Sequence, residues 1–80
     1  MIQWEEKSKG CYRTTIGGAR ITVHPRVGLK GWFVTSHEFL CLNEPLLSTD
    51  IEFAKVEALQ AVARYVQHYA DAFRAEGLVT

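Results

Sequence analysis

The stretch that decides the fold is Cys11-Tyr-Arg-Thr-Thr-Ile-Gly-Gly-Ala-Arg-Ile-Thr-Val-His24. Two runs of β-forming residues flank Gly17-Gly18, which suits a two-residue type I′ turn because both turn positions require a positive φ. One face of the resulting hairpin is largely apolar and the other is polar and basic, as a sheet with one buried face requires. This register pairs Ile16 with Ala19, Thr14 with Ile21 and Tyr12 with Val23 on the apolar face, and Thr15 with Arg20, Arg13 with Thr22 and Cys11 with His24 on the polar face.

Shorter β-like segments surround this hairpin. Residues 2–6 alternate weakly and predict an edge strand, whereas residues 24–31 contain proline and two glycines and predict a loop. Residues 32–36 predict another strand, which residues 39–42 are expected to extend after a kink at residues 37–38. Residues 43–47 are expected to form a connector. The first 47 residues therefore predict an antiparallel sheet of three to five short strands.

An uninterrupted helical pattern follows from residue 48. Thr49 and Glu52 have the spacing of a capping box, Asp50 suits the helix dipole, and Gly77 suits the position after a helix end. Residues 48–77 therefore predict one long C-terminal helix that ends near Glu76. Besides a polar stripe, this helix has an apolar stripe (Phe53, Val56, Leu59, Ala63, Val66, Ala70 and Phe73) and a small or aromatic one (Ala54, Ala58, Ala61, Tyr65, Tyr69 and Ala72).

These elements predict a single α+β domain of 80 residues, with the helix across the inner face of the sheet. A helix of about 26 residues spans roughly 39 Å, whereas strands of this length span about 17–20 Å. The helix is therefore expected to extend beyond the sheet, and Tyr65, Tyr69 and Phe73 are predicted to anchor a homodimer or another partner. The alternative is that the N-terminal strand and residues 39–47 cover this overhang.

Basic residues are concentrated near the N-terminus although the formal net charge is zero. Residues 1–30 contain six basic and two acidic residues, whereas residues 31–54 contain four acidic residues and no basic one. Arg13 and Arg20 fall on the polar face of the hairpin, and Arg26 and Lys30 fall in the loop after it. We predict that these four residues bind a partner, because charge-assisted hydrogen bonds suit phosphate or an acidic protein surface. A solvated face without a partner is the alternative.

No catalytic or metal site is indicated. Cys11 and Cys41 stand too far apart for a zinc or redox motif, and Cys41 occupies the place of the second histidine that a zinc-protease helix would need after His37-Glu38. Cys11 and His24 are expected to face each other across the hairpin, but two ligands make an incomplete metal site. No phosphate-binding glycine loop or nucleophile with its base is evident. We therefore expect a protein that is not an enzyme and has no cofactor.

Several features predict a cytoplasmic protein. The N-terminus lacks the apolar segment of a signal peptide, and no run of about 18 apolar residues is present that would span a membrane. In a reducing cytoplasm both cysteines are expected to be free thiols, with one disulfide between Cys11 and Cys41 as the alternative.

A pattern of tryptophan, glycine and tyrosine precedes the capped helix and continues into it: Trp4, Gly10, Tyr12, Gly17 to Ile21, Gly31-Trp32, Ala54-Lys55 and Ala58. This spacing resembles that of small single-domain proteins of phages and other mobile elements, some of which are similar to anti-CRISPR proteins. The resemblance implies a non-catalytic inhibitor in the cytoplasm of a bacterial host that docks on a CRISPR effector complex and blocks its binding of target DNA. It assigns a role to no individual residue.

Three strands followed by a helix are also similar to the DNA-binding domains of phage integrases and excisionases, in which an open sheet face enters the major groove. Arg13, Arg20 and Thr22 on the outer face fit this alternative. The zero net charge and the acidic stretch 38–52 argue against it, because both repel a phosphate backbone.

Overall fold

The computed structural model describes residues 2–8, 10–39 and 42–77. Five antiparallel strands form one sheet in chain order, and one helix packs against one of its faces. The predicted α+β fold class is therefore confirmed. The strands are β1 (Glu5–Ser8), β2 (Cys11–Ile16), β3 (Ala19–Pro25), β4 (Trp32–Ser36) and β5 (Asn43–Pro45), and the helix is α1 (Ile51–Ala75).

The β2–β3 hairpin has the predicted register, from Tyr12 opposite Val23 to Ile16 opposite Ala19. Gly17 and Gly18 have φ angles of 57° and 85°, as the type I′ turn requires. Ile21 and Val23 lie on the buried face with relative exposures of 1% and 0%. The alternation of apolar and polar residues therefore predicted the buried face of the hairpin correctly.

The outer strands differ from the prediction. β1 begins at Glu5 rather than residue 2, and its pairing with β2 is shifted by an irregularity between Glu6 and Ser8. The last strand begins at Asn43, within the segment predicted to be a connector, and Leu40 and Cys41 of the predicted extension lie outside the described residues. Pro45 is accommodated because β5 is an edge strand, where a missing amide donor leaves no ladder hydrogen bond broken.

The helix begins at Ile51 rather than at residue 48, and its N-cap is Asp50 rather than Thr49. The Asp50 carboxylate accepts hydrogen bonds from the amides of Glu52 and Phe53 at 3.1 and 3.2 Å. The helix ends at Ala75, and Gly77 has the positive φ of 75° that was expected after the helix end. Among the described residues, no helix is both long enough and apolar enough to cross a membrane.

The sheet packs against the stripe of small side chains. Ala54, Ala58, Ala61 and Val62 are the buried residues of α1, and they join a core that includes Ile21, Val23 and Val34 of the sheet. The larger apolar stripe faces away at its start, where Phe53 is 69% exposed. Small side chains allow the helix backbone to approach the sheet closely, and this contact decides which stripe is buried.

Candidate functional site

The face of the sheet opposite α1 is called the outer face. Its side chains follow from the strand registers, because successive residues of a strand point to opposite faces. It contains Glu5 of β1, Cys11, Arg13 and Thr15 of β2, Arg20, Thr22 and His24 of β3, Phe33 and Thr35 of β4, and Asn43 and Pro45 of β5.

Side chains in the middle of the outer face are held by contacts across the strands. The Nε of Arg13 donates a hydrogen bond to Thr22 Oγ1 at 3.2 Å, and Thr22 is buried beneath it. The His24 ring stacks on Phe33 with 4.9 Å between ring centroids. These contacts orient the Arg13 guanidinium and the imidazole in advance of any binding event.

The structure places three of the four predicted basic residues at or beside the outer face without an internal ion pair. Arg13 lies on it, Arg26 borders a cavity of about 370 Å³ with Phe33 and Pro45, and Lys30 is exposed in the same β3–β4 loop. Arg20 differs, because its Nε lies 3.0 Å from Glu38 Oε2 and its backbone amide donates to Glu38 Oε1. Arg20 therefore stabilises the fold at this point.

Ion pairing distinguishes three basic residues at or beside the outer face from the other basic residues that the structure describes. Within the described chain, Arg13, Arg26 and Lys30 are the basic residues with no carboxylate oxygen within 4.0 Å, and Lys9 lies outside that part. The remaining basic residues each have a partner: Lys7 with Glu5, Arg20 with Glu38, Lys55 with Glu52, Arg64 with Glu44, and Arg74 with Asp71. Among the described residues, the basic side chains without a carboxylate partner therefore lie on the outer face and in the β3–β4 loop.

The acidic stretch that the sequence showed does not form a second charged surface. Glu44 pairs with Arg64, Glu52 pairs with Lys55, and Asp50 caps the helix. The hydrogen bond from the Arg20 backbone amide, aided by the Arg20 side chain, holds the pKa of Glu38 below its ordinary value. The acidic charges are therefore engaged within the chain, unlike Arg13.

The end of the helix presents an apolar surface. Val66, Tyr69 and Phe73 are 45%, 45% and 51% exposed, and they line a cavity of about 540 Å³ with Phe39 and Tyr65. Two described residues of the preceding segment reach the beginning of this surface: the Phe39 and Tyr65 ring centroids lie 5.5 Å apart, and Glu44 pairs with Arg64. The molecule is 44 Å long in its largest dimension, consistent with a helix that extends past the sheet.

Cys11 and His24 meet across the hairpin as expected. The Cys11 Sγ lies 3.7 Å from His24 Nδ1, and the other ring nitrogen, Nε2, lies 2.8 Å from Thr35 Oγ1. Burial, and to a lesser degree the Arg13 charge, lower the pKa of His24. Sequence reasoning missed Thr35 and Phe33 as partners of His24, although the alternation of residues 32–36 contains the signal once β4 is paired with β3.

The described side chains offer hydrogen-bond donors and positive charge on the outer face and apolar area on the helix end. No group of three or more His, Cys, Asp or Glu residues in the described part is arranged to hold a metal ion. Comparisons with protein families, with curated proteins and with solved structures gave no match. The arrangement is suited to binding an anionic surface.

Proposed function

We propose that the protein is a non-catalytic inhibitor whose outer face docks on an acidic protein surface of a CRISPR effector complex in a bacterial cytoplasm and blocks target DNA binding. The observation that supports this function is that Arg13, Arg26 and Lys30 lack carboxylate partners whereas five other basic residues have them. The Arg13 guanidinium is held on the sheet by Thr22, and guanidinium groups without a carboxylate partner are suited to charge-assisted hydrogen bonds with carboxylates. The choice of a CRISPR effector rests on the resemblance of the sequence.

A protein surface fits this basic group better than a nucleic acid does. Three phosphate contacts on duplex DNA give a salt dependence with a slope of only about −2.7, which is shallow for a DNA-binding protein. The formal net charge of zero supplies no further attraction to a polyanion. Binding to an acidic protein patch needs only local complementarity, which these residues provide.

Charge reversal tests the docking face. Arg13→Glu combined with Arg26→Glu is expected to weaken binding to the effector complex by on the order of 100-fold and to abolish inhibition of target DNA binding. The matched control is Arg64→Glu combined with Arg74→Glu, which makes the same charge change on the helix and is expected to bind within about threefold of the parent. Circular dichroism checks that both variants are folded. Full inhibition by the first variant would contradict the proposed docking face.

Direct DNA binding is the second candidate, and the open antiparallel face with α1 behind it is the observation that favours it. Fluorescence anisotropy with a labelled duplex of about 30 base pairs separates the two functions. We expect negligible binding of the free protein at about 150 mM salt, since its unpaired cations are few. Tight binding that falls steeply as salt rises would replace the inhibitor proposal with a DNA-binding one.

We also propose that the helix end pairs with a second copy of the chain. Leu59, Val62, Val66, Tyr69 and Phe73 follow the alternating three- and four-residue spacing of a coiled-coil seam. The seam begins against the core, where Val62 is 8% exposed, and continues onto the exposed helix end. A second helix related by a two-fold axis would extend this packing with the same side chains.

The apolar area is sufficient for a weak dimer. The half-exposed rings of Tyr69 and Phe73 would each bury on the order of 100 Å². With the neighbouring aliphatic side chains counted on both copies, the interface approaches about 1,000 Å², the lower limit of specific association. Ala63 and Ala70 flank the seam and let two helices approach closely. We therefore expect a dimer in the micromolar range of dissociation constants.

Sedimentation velocity across a range of concentrations tests the dimer. Tyr69→Asp is expected to yield a monomer at every concentration, because it places a charge in the centre of the apolar interface. Phe53→Asp makes the same type of change at an exposed position near the start of the helix, outside the seam, and is expected to leave the dimer unchanged. A wild-type protein that is monomeric at hundreds of micromolar would contradict this proposal without affecting the docking face.

A further inference from the structure

Cys11 carries a free, partly buried thiol on the outer face, and the imidazole of His24 on the adjacent strand lies beside it. The 3.7 Å between Cys11 Sγ and His24 Nδ1 is within the range of a hydrogen bond to sulfur. The docking function leaves this pair without a role. A thiol becomes nucleophilic as it loses its proton, so a nitrogen placed to accept that proton affects its chemistry.

Groups on β4 orient the imidazole for this purpose. Thr35 Oγ1, 2.8 Å from Nε2, is placed to accept the Nε2 proton, and this tautomer turns the Nδ1 lone pair toward Cys11. Phe33 supports the ring face by stacking. The groups against His24 are Cys11 and the cationic Arg13 on β2 and the uncharged Phe33 and Thr35 on β4. Arg13 and burial favour the neutral ring, which is the form able to accept a proton.

We propose that Cys11 is a site of covalent modification by small disulfides, with His24 as its base and Thr35 as the residue that positions His24. The Cys11 sulfur attacks one sulfur of the disulfide, a new S–S bond forms and the original S–S bond breaks. The Cys11 proton moves to His24 Nδ1 and then to the departing thiolate, which leaves as a thiol. Cys11 is oxidised to a mixed disulfide while the departing sulfur is reduced, so the disulfide supplies the whole oxidation.

The adduct would stand beside Arg13, one of the docking residues, because Cys11 and Arg13 point to the same face of β2. Modification by oxidised glutathione would add a bulky, charged group at this point. We expect it to weaken docking, and this consequence alone rests on the proposed function. The reactivity of the thiol is a property of the free protein and is measured separately.

Reaction with oxidised glutathione, followed by mass spectrometry of non-reduced tryptic peptides, tests the reactivity. Cys11 and Cys41 fall in the separate peptides 10–13 and 31–55, so each thiol is followed individually. His24→Asn is expected to lower the Cys11 rate constant at pH 7 about tenfold or more, while His37→Asn, a control distant in sequence from the pair, leaves it unchanged. An unchanged rate in a folded His24→Asn protein would overturn the proposal.

The pH profile and the Thr35 variants separate a base from a structural support. In the wild type the rate should fall as His24 becomes protonated, at a pH below its ordinary pKa of 6.5, whereas His24→Asn should lack this histidine-dependent step in the pH profile. Thr35→Val is expected to slow the reaction severalfold and Thr35→Ser to restore it. Should His24→Asn fail to fold, Thr35→Val decides the question, and a wild-type rate in that variant would refute the role of the pair.

Docking of the glutathione adduct supplies the remaining readout. We expect the modified protein to bind the effector complex more weakly and to recover full binding when dithiothreitol removes the adduct. If Cys11 reacts as described but the adduct docks normally, the inference about docking is wrong and the modification site stands. If the unmodified protein does not bind an effector at all, the proposed function fails while the labelling result is unaffected.

Discussion

The two parts of α1 have the same secondary structure but opposite surfaces. Residues 51–62 bury small side chains against the sheet, with Ala54 and Ala58 completely inaccessible. Residues 66–75 leave Tyr69 and Phe73 about half exposed, although aromatic rings gain most from burial. Close approach to the sheet therefore selects small residues, whereas the large apolar residues Tyr69 and Phe73 stand where the described part of the chain leaves them half exposed.

Polar contacts show the same division. Asp50 caps the start of α1, and the Glu57 carboxylate accepts hydrogen bonds from the backbone amides of the connector that leads into it. At the other end, Asp71 accepts from Gln67 and Arg74, so these bonds join the helix only to itself. The first part is therefore fastened to the rest of the chain, and the second part is available for association.

The largest effect is expected for enlarging a buried alanine. Ala58→Leu forces additional atoms between the helix and the sheet and should destabilise the protein by about 1–3 kcal/mol. Ala72→Leu adds the same atoms to the exposed part of the helix and should change stability by less than about 0.5 kcal/mol. Urea unfolding of both variants measures the difference. Equal losses would show that the two parts of the helix are packed alike.

Removal of the helix cap should have the next largest effect. Asp50→Ala leaves the amides of Glu52 and Phe53 without their acceptor and should cost about 1 kcal/mol. Thr49→Ala is the matched control, because the Thr49 contact with Trp32 uses the backbone carbonyl and survives the change. Thermal unfolding measures the stability of both variants. A greater loss of stability in the Thr49 variant would show that Thr49, as the capping-box pattern indicated, is the N-cap.

Patterns within a short stretch of sequence predicted the structure best. The hairpin register follows from Gly17-Gly18 and from alternation within fourteen residues, and the structure reproduces it. The partner of Arg20 is Glu38, eighteen residues away, so nothing near Arg20 indicates that its charge is engaged. Sequence reasoning therefore placed Arg13 and Arg20 together on the outer face but had no means of distinguishing them.

The buried face of the helix was harder to predict for a different reason. Hydrophobicity favours burial of a stripe that contains Phe53, Val56 and Phe73 over one that contains alanines. The distance between helix and sheet decides the outcome, and that distance depends on side chains such as Val23 and Val34 that come from separate strands. Helical periodicity identified both stripes, but it contains no information about the depth of the space opposite each stripe.

A smaller, pH-dependent effect is expected at Glu57. Hydrogen bonds from the Leu47 and Ser48 amides hold the pKa of this carboxyl below its ordinary value of 4.5. A depressed pKa stabilises the fold above the unfolded value, and that contribution is lost as the pH falls through the folded value. Because water screens this carboxylate, Glu57→Gln should reduce stability at pH 7 by only about 0.5 kcal/mol and flatten its decline below pH 4.5.

The matched control for Glu57→Gln is Glu76→Gln, which changes the same charge beyond the end of the helix. Chemical unfolding at a series of pH values between 7 and 3 gives the slope for each variant. If the stability of Glu57→Gln falls with decreasing pH as steeply as that of the wild type, the Glu57 carboxylate does not hold the connector before the helix.

The smallest effect on the stability of the monomer is expected at the helix end. It tests most directly whether the two parts of the helix differ in packing. Phe73→Ser changes a half-exposed ring at a position where helix propensity differs little, so unfolding of the dilute monomer should change by less than about 0.5 kcal/mol. Val62 belongs to the same seam but lies in the core, so Val62→Ala should lower the free energy of unfolding by about 1.5 kcal/mol. At high concentration the wild type should gain stability through association while Phe73→Ser does not. A loss above about 1 kcal/mol for Phe73→Ser at high dilution would mean that its own chain covers the ring, and the division of the helix into a packed part and an available part would then be wrong.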